Sequence, residues 1–291
     1  MIKNASSLKD NARNVAEKND ISIGQVLQNY MFERVLERLS QSKYKENFVI
    51  KGGLLLSSIM GINLRTTMDI DTNIVGINLQ KENLLKILEE ILSLDIGDKV
   101  LFKIEKVEDI KQEEYYGGYK FKILGIYENI KVRFHIDVST GDIITPRAIQ
   151  YQYKKLFDNE YIDILSYNQE TIIAEKLQAV LERKLTNSRM KDYYDLYFFV
   201  YYKWSEIDKE ILVEAIIRTF AARNSITELK NISETIKSLQ GNEFLNRLWL
   251  DYREKHHYSK NINFEDTIKA IEIIREEIFA NEKIKKQVFS I

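Results

Sequence analysis

The sequence contains no cysteine and a single proline, and it has only 11 glycines among its 291 residues. Without cysteine the chain can form no disulfide, thiol nucleophile or thiolate metal site, and this composition fits a reducing compartment. Residues 1–20 are polar where a secretory signal needs an apolar core. No segment has the roughly 18 uninterrupted apolar residues of a membrane span. We therefore expect a helix-rich, cytoplasmic protein that does not enter a membrane.

The chain has almost no net charge. It contains 43 Lys and Arg residues and 44 Asp and Glu residues, for a formal net charge of -1. No overall electrostatic field would then draw the protein to an anionic partner, so any such partner must meet a local basic patch. The length and the 44% hydrophobic content are enough for two ordinary hydrophobic cores. We expect two domains.

The first part of the chain alternates between helix and strand patterns. Residues 22–39 have apolar side chains at helical spacing, and Ser22 with Gln25 matches a capping box. Residues 48–53 form a short apolar run that ends in paired glycines and precedes a second apolar run, which predicts strand, tight turn and buried helix. A further helix is expected at about 80–93.

Strict alternation identifies the strands. In residues 68–76, Met68, Ile70, Thr72 and Ile74 alternate with Asp69, Asp71 and Asn73. Residues 131–139 alternate in the same way, with Lys131, Arg133, His135 and Asp137 on the polar face. Further strands are expected near 100–107 and 119–127, around turn residues Gly117 and Gly118.

From about residue 166 the pattern is almost wholly helical. The predicted helices include residues 169–184, 190–203, 208–221 and 264–287. The sequence thus predicts an α+β protein, with a mixed-sheet domain over residues 1–160 and a helical domain over residues 161–291.

Three aspartates on strands are candidate metal ligands. Asp69 and Asp71 lie two residues apart and share one strand face, and Asp137 offers a third carboxylate from another strand. Oxygen donors on rigid strands suit Mg²⁺ or Mn²⁺, and a pair of such ions can assist phosphoryl chemistry. The alternatives are a solvated strand face and a structural cation site. His135 shares this face, but we expect it to be a bystander.

The Lys51-Gly52-Gly53 sequence precedes the aspartates by one predicted helix. Glycines without a Cβ atom let backbone N–H groups approach a phosphate at a helix N-terminus, which makes the three residues candidates for binding a triphosphate. An ordinary turn is the alternative.

Lys176 interrupts an apolar helix face, because Ile172, Ile173, Ala179 and Val180 surround it at helical spacing. A lysine in this place needs an anionic partner or a path to solvent. It either extends to solvent or pairs with a nearby glutamate, or it holds nucleotide phosphate.

A second helix carries Asp192 and Asp195 on one face, which makes them candidates for a functional site. The alternative is that they form surface ion pairs, such as Lys191 with Asp195. Arg183, Lys184, Arg189 and Lys191 form a basic stretch that could meet RNA phosphates or remain a solvated loop.

Three segments resemble the motifs of the AbiEii/AbiGii toxin family, which includes the related MenT toxins. The segments are IKGGLLLSSIMGINLRTTMDID, HIDVSTGD and ETIIAEKLQAVLERKLTNSRMKDYYDLYFF. The resemblance covers roughly residues 48–200 and implies a nucleotidyltransferase fold like that of DNA polymerase β. It implies that Asp69 and Asp71 bind metal, with Asp137 at the position of the third carboxylate, and that Lys176 and Asp192 are a further essential pair. It places nucleotide contacts at Lys51, Gly52, Gly53, Arg65 and Thr66.

The resemblance also implies a function. Members of this family are the toxins of abortive-infection, phage-defence or toxin-antitoxin modules, and they use NTP to modify RNA, with tRNA 3′ ends as the acceptor for the MenT relatives. The antitoxin is a separate protein that acts without stable contact, so we expect no obligate partner chain. Transfer to a small molecule or a protein, and a non-catalytic nucleotide-binding module, are the alternatives. The base preference, the acceptor and the oligomeric state stay open.

Overall fold

A computed structural model describes residues 2–110 and 117–281 of the chain. These residues divide into two compact units. The first contains the residues up to Asp142 together with Ala148–Tyr167, and the second contains Ile143–Arg147 together with the residues from Asn168 onward. The sequence predicts a boundary near residue 160. The division instead follows Tyr167, because the strand Tyr161–Ser166 pairs within the sheet of the first unit.

The first unit is a mixed sheet with helices. Its helices are α1 (Ala5–Asn19), α2 (Ile23–Gln41), α3 (Gly52–Met60) and α4 (Lys81–Leu92). Its strands are β1 (Phe48–Lys51), β2 (Asp69–Ile74), β3 (Leu101–Ile110), β4 (Gly118–Tyr127), β5 (Ile130–Thr140), β6 (Ile149–Lys154) and β7 (Tyr161–Ser166). Among the described residues the strand order is β3-β4-β5-β2-β1-β7-β6, with β2 parallel to β5, β1 parallel to β7 and the other neighbours antiparallel.

The predicted alternation holds along β5, where Phe134, Ile136 and Val138 are buried and His135 and Asp137 are partly exposed. In β2 it holds only in part. Met68 precedes the strand and is exposed rather than buried. Asn73 is buried rather than solvent-facing, whereas Asp69 and Asp71 on the same side of β2 are partly exposed.

The buried side of the sheet packs against helices that the sequence predicts in part. Helix α2 has the expected capping box, with Ser22 and Gln25 bonded reciprocally, and its Phe32 ring meets Phe134 of β5 edge to face, with centroids 5.3 Å apart. Helix α1 was not predicted, because its buried residues are mostly alanines in an otherwise polar segment. Those residues are Ala5, Leu8, Ala12 and Ala16.

The second unit is helical in its described part. It contains α5 (Gln169–Arg183), α6 (Met190–Phe198), α7 (Lys209–Ala222), α8 (Ile226–Lys230), α9 (Ile232–Leu239), α10 (Glu243–Lys255) and α11 (Phe264–Ala280). The helix predicted for residues 190–203 changes at Phe198, where a five-residue π-helical turn, Phe199–Lys203, continues the chain. The helix predicted for 264–287 agrees with α11 as far as residue 280, and residues 282–287 lie outside the described part.

None of the described helices combines the length and the apolar character that crossing a membrane requires.

Candidate functional site

The three candidate carboxylates lie on adjacent strands of the first unit. β2 and β5 run in parallel register, in which Asp69 is opposite His135 and Asp71 is opposite Asp137. Residues two apart on a strand share a face at roughly 7 Å, and neighbouring strands are about 4.8 Å apart. The alternation read from the sequence therefore brings all three aspartates to one face of the sheet.

Two of these carboxylates accept contacts that fix their orientation. Asp69 Oδ1 is 3.0 Å from Nδ1 of His135, the residue opposite Asp69 on the neighbouring strand. Asp71 Oδ2 accepts a hydrogen bond of 3.2 Å from the backbone N–H of Gly53, at the start of α3. His135, which we expected to be a bystander, thus contacts the proposed metal carboxylate directly.

Asp137 is more buried than Asp69, with 20% of its side-chain surface exposed against 34%. The pKa of Asp137 is raised to about 6, mainly by burial; the charge of Lys120 lowers it, and the charges of Asp71 and Asp69 raise it. Lys120 of β4 is opposite Asp137 in register, and its Nζ lies 3.1 Å from Asp137 Oδ2. Burial lowers the pKa of Lys120, but the three carboxylates outweigh it, so the pKa of the ammonium is raised overall. The site therefore concentrates negative charge.

The donor atoms of this group fit a hard divalent cation. Asp137 Oδ1 is buried and has no hydrogen-bond partner, which leaves one carboxylate oxygen available in a cluster of carboxylates. Within residues 2–110 and 117–281, however, no three acidic, histidine or cysteine side chains are arranged as a ready metal site. Lys120 and His135 contact the carboxylates instead. A metal at Asp69, Asp71 and Asp137 remains a prediction.

The paired glycines are required where β1 meets α3. Gly52 has φ +63°, in the left-handed region, and a Cβ atom there would overlap the Asp71 carboxylate. A Cβ atom on Gly53 would overlap Thr67 Oγ1. The missing side chains therefore allow the first turn of α3 to approach the Asp71 carboxylate. An approach of the backbone N–H groups of this turn to a triphosphate stays a prediction.

Lys51 ends β1 and pairs with a residue that we did not anticipate. Its Nζ contacts the carboxylate of Asp142, which also accepts a 2.9 Å hydrogen bond from Tyr167 Oη. Asp142 ends the HIDVSTGD segment, which carries the family resemblance, but no strand or helix periodicity indicates a role for it. Arg65 is buried and donates to the carbonyl of Thr66 at 2.6 Å, and Thr66 itself is half-buried.

In the second unit, Lys176 has anionic partners on α6. Its Nζ lies 2.6 Å from Asp192 Oδ1 and 3.0 Å from Asp195 Oδ2, and the side chains of both aspartates are almost completely buried. Burial raises the pKa of Asp192, but Lys176 and then Arg189, whose Nε is 3.3 Å from Oδ2, outweigh burial and lower the pKa overall. The partner is thus a pair of aspartates rather than a glutamate, and Asp195 pairs with Lys176. A role of Lys176 and Asp192 toward nucleotide stays a prediction.

The basic stretch at 183–191 uses part of its charge within the second unit. Lys184 pairs with Glu228 at 2.6 Å, and Arg189 pairs with Asp192. Lys191 is exposed. These ion pairs reduce the attraction that the stretch could exert on RNA phosphates.

Comparisons with solved structures find two proteins of Helicobacter pylori. A crystal structure whose name proposes a nucleotidyltransferase has 14% identity and a TM-score of 0.46, over 92% of this chain and 99% of that chain. The crystal structure of JHP933 has 15% identity and a TM-score of 0.48, over 92% of this chain and 97% of that chain. A comparison with curated proteins finds no match.

A family model gives the decisive comparison. The model described as nucleotidyl transferase AbiEii toxin of type IV toxin-antitoxin systems matches residues 34–277, which include the carboxylate strands and the Lys176 helix. The family anticipated from the motifs is thereby confirmed over a longer stretch than the motifs themselves cover. The chain belongs to the AbiEii nucleotidyltransferase toxin family of type IV toxin-antitoxin systems.

Proposed function

We propose that this protein transfers a nucleotide from NTP to a hydroxyl group of RNA, with divalent cations held by Asp69, Asp71 and Asp137. The observation that carries the proposal is the pairing of Asp71 with Asp137 on adjacent strands, where Asp137 Oδ1 is buried and unpartnered. A cluster of carboxylates is costly to maintain without a cation, because neighbouring negative charges repel one another. A cation-dependent reaction explains why the cluster exists.

The bound cations would supply charge neutralisation at the triphosphate and at the attacking oxygen. The chain's own groups prepare the site. The contact with His135 orients Asp69, the Gly53 N–H orients Asp71, and Lys120 moderates the charge of Asp137. The glycines keep the start of α3 clear of side chains beside these carboxylates, and a helix N-terminus favours an anion such as a triphosphate.

The proposed reaction is an in-line displacement. An oxygen of the acceptor hydroxyl forms a bond to the α-phosphorus of NTP, the bond from that phosphorus to the bridging oxygen breaks, and pyrophosphate leaves. The hydroxyl proton passes to solvent. The acceptor is RNA, and the tRNA 3′ end is the specific acceptor we propose, because the family resemblance implies it.

We further propose that Lys176 and Asp192 are essential to activity, with Lys51, Arg65 and Thr66 contributing to nucleotide binding. Lys51 and Lys176 are both held in place by aspartates, which suits a cation that must meet phosphate at a defined position. The protein would act as a cytoplasmic toxin in phage defence. Its antitoxin would be a separate protein that does not form a stable complex with it.

Incubation of the purified protein with each α-labelled NTP, Mg²⁺ or Mn²⁺ and total cellular RNA tests the proposal. We expect label in the RNA fraction, with transfer abolished in Asp69→Asn. Asp163→Asn is the matched control, since Asp163 is an exposed aspartate on β7 of the same sheet. Label confined to small molecules or protein would replace RNA as the acceptor, and full activity of Asp69→Asn would overturn the carboxylate mechanism.

A further inference from the structure

The open face of β3, β4 and β5 carries a group of basic side chains that the linear sequence does not show. We call this group the basic sheet face. Its members are Lys103, Lys106, Lys120, Lys122, Lys131 and Arg133. They come from three strands and gather only because the strands pair, which is why the sequence indicated a basic stretch only at 183–191.

Strand register places the basic sheet face directly beside the candidate carboxylates. Lys106 is opposite Lys122, which is opposite His135, which is opposite Asp69. One continuous row therefore runs from the edge strand β3 to the first metal-binding candidate. With about 4.8 Å between strands, this row is roughly 14 Å long.

A second row of side chains on the basic sheet face runs along β5. Lys131, Arg133, His135 and Asp137 alternate along the exposed side of the strand, so the basic residues lead toward Asp137 over about 20 Å. Lys106 and Arg133 are well exposed, with 63% and 69% of the side-chain surface accessible. The face is therefore accessible to a long, extended ligand as well as to a small one.

The charge of this face differs from that of the whole chain. Among the described residues, the ion pairs of the six basic side chains outside the carboxylate site involve two acidic residues, namely Glu105 beside Arg133 and Glu108 between Lys106 and Lys122. The whole chain has a net charge of -1, so the face is a local positive region on a nearly neutral protein. A polyanion would be attracted here by Coulomb forces and by release of its counterions.

We propose that the basic sheet face binds the phosphate backbone of a single-stranded segment of the acceptor RNA and leads its hydroxyl end to the carboxylate site. This inference rests on the proposed function for its choice of polyanion. Exposed lysines on an edge strand also discourage sheet-to-sheet aggregation, but that role explains β3 alone. It does not explain basic residues on the inner strands β4 and β5.

Lys103 and Lys131 provide the sharpest test, because among the described residues neither has an ion pair whose loss would disturb the sheet. The test variant is the double substitution Lys103→Glu, Lys131→Glu. The matched control is Lys9→Glu, Lys154→Glu, which changes the net charge equally at exposed positions on α1 and on β6 at the opposite sheet edge. Both variants lie outside the carboxylate site.

Binding of a fluorescent single-stranded oligoribonucleotide is measured for both variants as a function of salt, with total tRNA as competitor. We expect the dissociation constant of the test variant to rise at least about tenfold above that of the control. Its salt slope should fall by about 1.4, since each single-strand phosphate contact contributes about 0.7. Stabilisation by NTP with Mg²⁺ should be equal in both variants.

Equal RNA affinity and equal salt slope in the two variants would overturn the inference. An acidic protein would then be the partner to test. Absence of RNA binding by the wild type would overturn it as well. The binding experiment does not require catalysis, so the two proposals can fail independently. A wild-type protein that binds RNA but transfers no label would contradict the proposed function and leave this inference standing.

Discussion

Asp137 on the sheet and Asp192 on α6 show how environment separates two chemically identical side chains. Burial and two neighbouring carboxylates raise the pKa of Asp137 to about 6. Asp192 is more deeply buried, yet Lys176 and Arg189 outweigh burial and lower its pKa. The first carboxylate belongs to a group in which three carboxylates share one lysine, Lys120, and the second to a group in which two cations match two carboxylates. We call Lys176, Asp192 and Asp195 the α6 cluster. Substitutions that remove a charge should cost little stability at the aspartates of β2 and β5, and much more stability in the α6 cluster.

The largest effect on stability should follow Lys176→Met. This change keeps the apolar stem but leaves Asp192 and Asp195 buried without their main cation, which costs about 3 to 5 kcal/mol of unfolding free energy. Urea unfolding measures it. Lys237→Met, at an exposed position of the same unit, is the control and should change stability by less than about 0.5 kcal/mol.

The same experiment can contradict the contrast between Asp137 and Asp192. If Lys176→Met unfolds at the same urea concentration as the wild type, the α6 cluster does not depend on its lysine. Adding Asp192→Asn and Asp195→Asn to Lys176→Met should recover part of the loss, because the added changes remove the uncompensated charges.

Gly52→Ala should have the next largest effect. The new Cβ would overlap the Asp71 carboxylate, and the residue already has φ +63°, so we expect a loss of about 2 kcal/mol together with loss of transfer. Gly97→Ala is a matched control, because Gly97 has φ +75° but no atom within 4 Å of an added Cβ. Equal melting temperatures for the two variants would show that the close approach to Asp71 is unimportant.

The raised pKa of Asp137 predicts a pH-dependent effect. Because its folded pKa is above its unfolded value, the metal-free protein gains stability from this group at low pH and loses it as pH rises through about 6. Asp137→Asn should therefore stabilise the metal-free protein at pH 8 by up to about 3 kcal/mol and have little effect near pH 4. Melting curves between these pH values measure the difference.

Asp192 should show the opposite dependence on pH, because its pKa is lowered. Its contribution to stability is present above the unfolded pKa and is lost as pH falls through the folded pKa. An Asp192→Asn protein should thus lose more stability relative to the wild type at pH 7 than at pH 3. The same sign for both aspartates would contradict the contrast between the two regions.

The smallest effect on stability should accompany the largest loss of activity. Asp69→Asn and Asp71→Asn each remove a charge from a repelling cluster on a half-exposed strand face, so stability should change by less than about 1 kcal/mol. Transfer should fall by more than about 100-fold, because several kcal/mol of charge stabilisation depend on the cation site. A well-folded variant that still arrests growth at the wild-type level would remove these residues from the site.

Local patterns predicted much of the architecture. Alternation located β2 and β5, the capping box located α2, and helical periodicity located α5 and α7 to within a few residues. Several elements were not located from the sequence, among them α1, β6, β7 and the helices α8 to α10. Helix α1 buries mainly alanines, which carry little hydrophobic signal, and β6 and β7 are short strands whose placement depends on partners distant in sequence.

The sequence by itself determined the family and the shared face of Asp69 and Asp71, because a strand period of two is a local property. It also showed that Lys176 needs an anionic partner, since its apolar helical neighbours are visible in the sequence. Only the tertiary structure decided which aspartates meet Lys176, that Asp142 holds Lys51, and that the basic side chains of three strands form one face. These contacts join residues far apart in the chain, and strand register and helix packing select them by burying apolar surface, which no local period records.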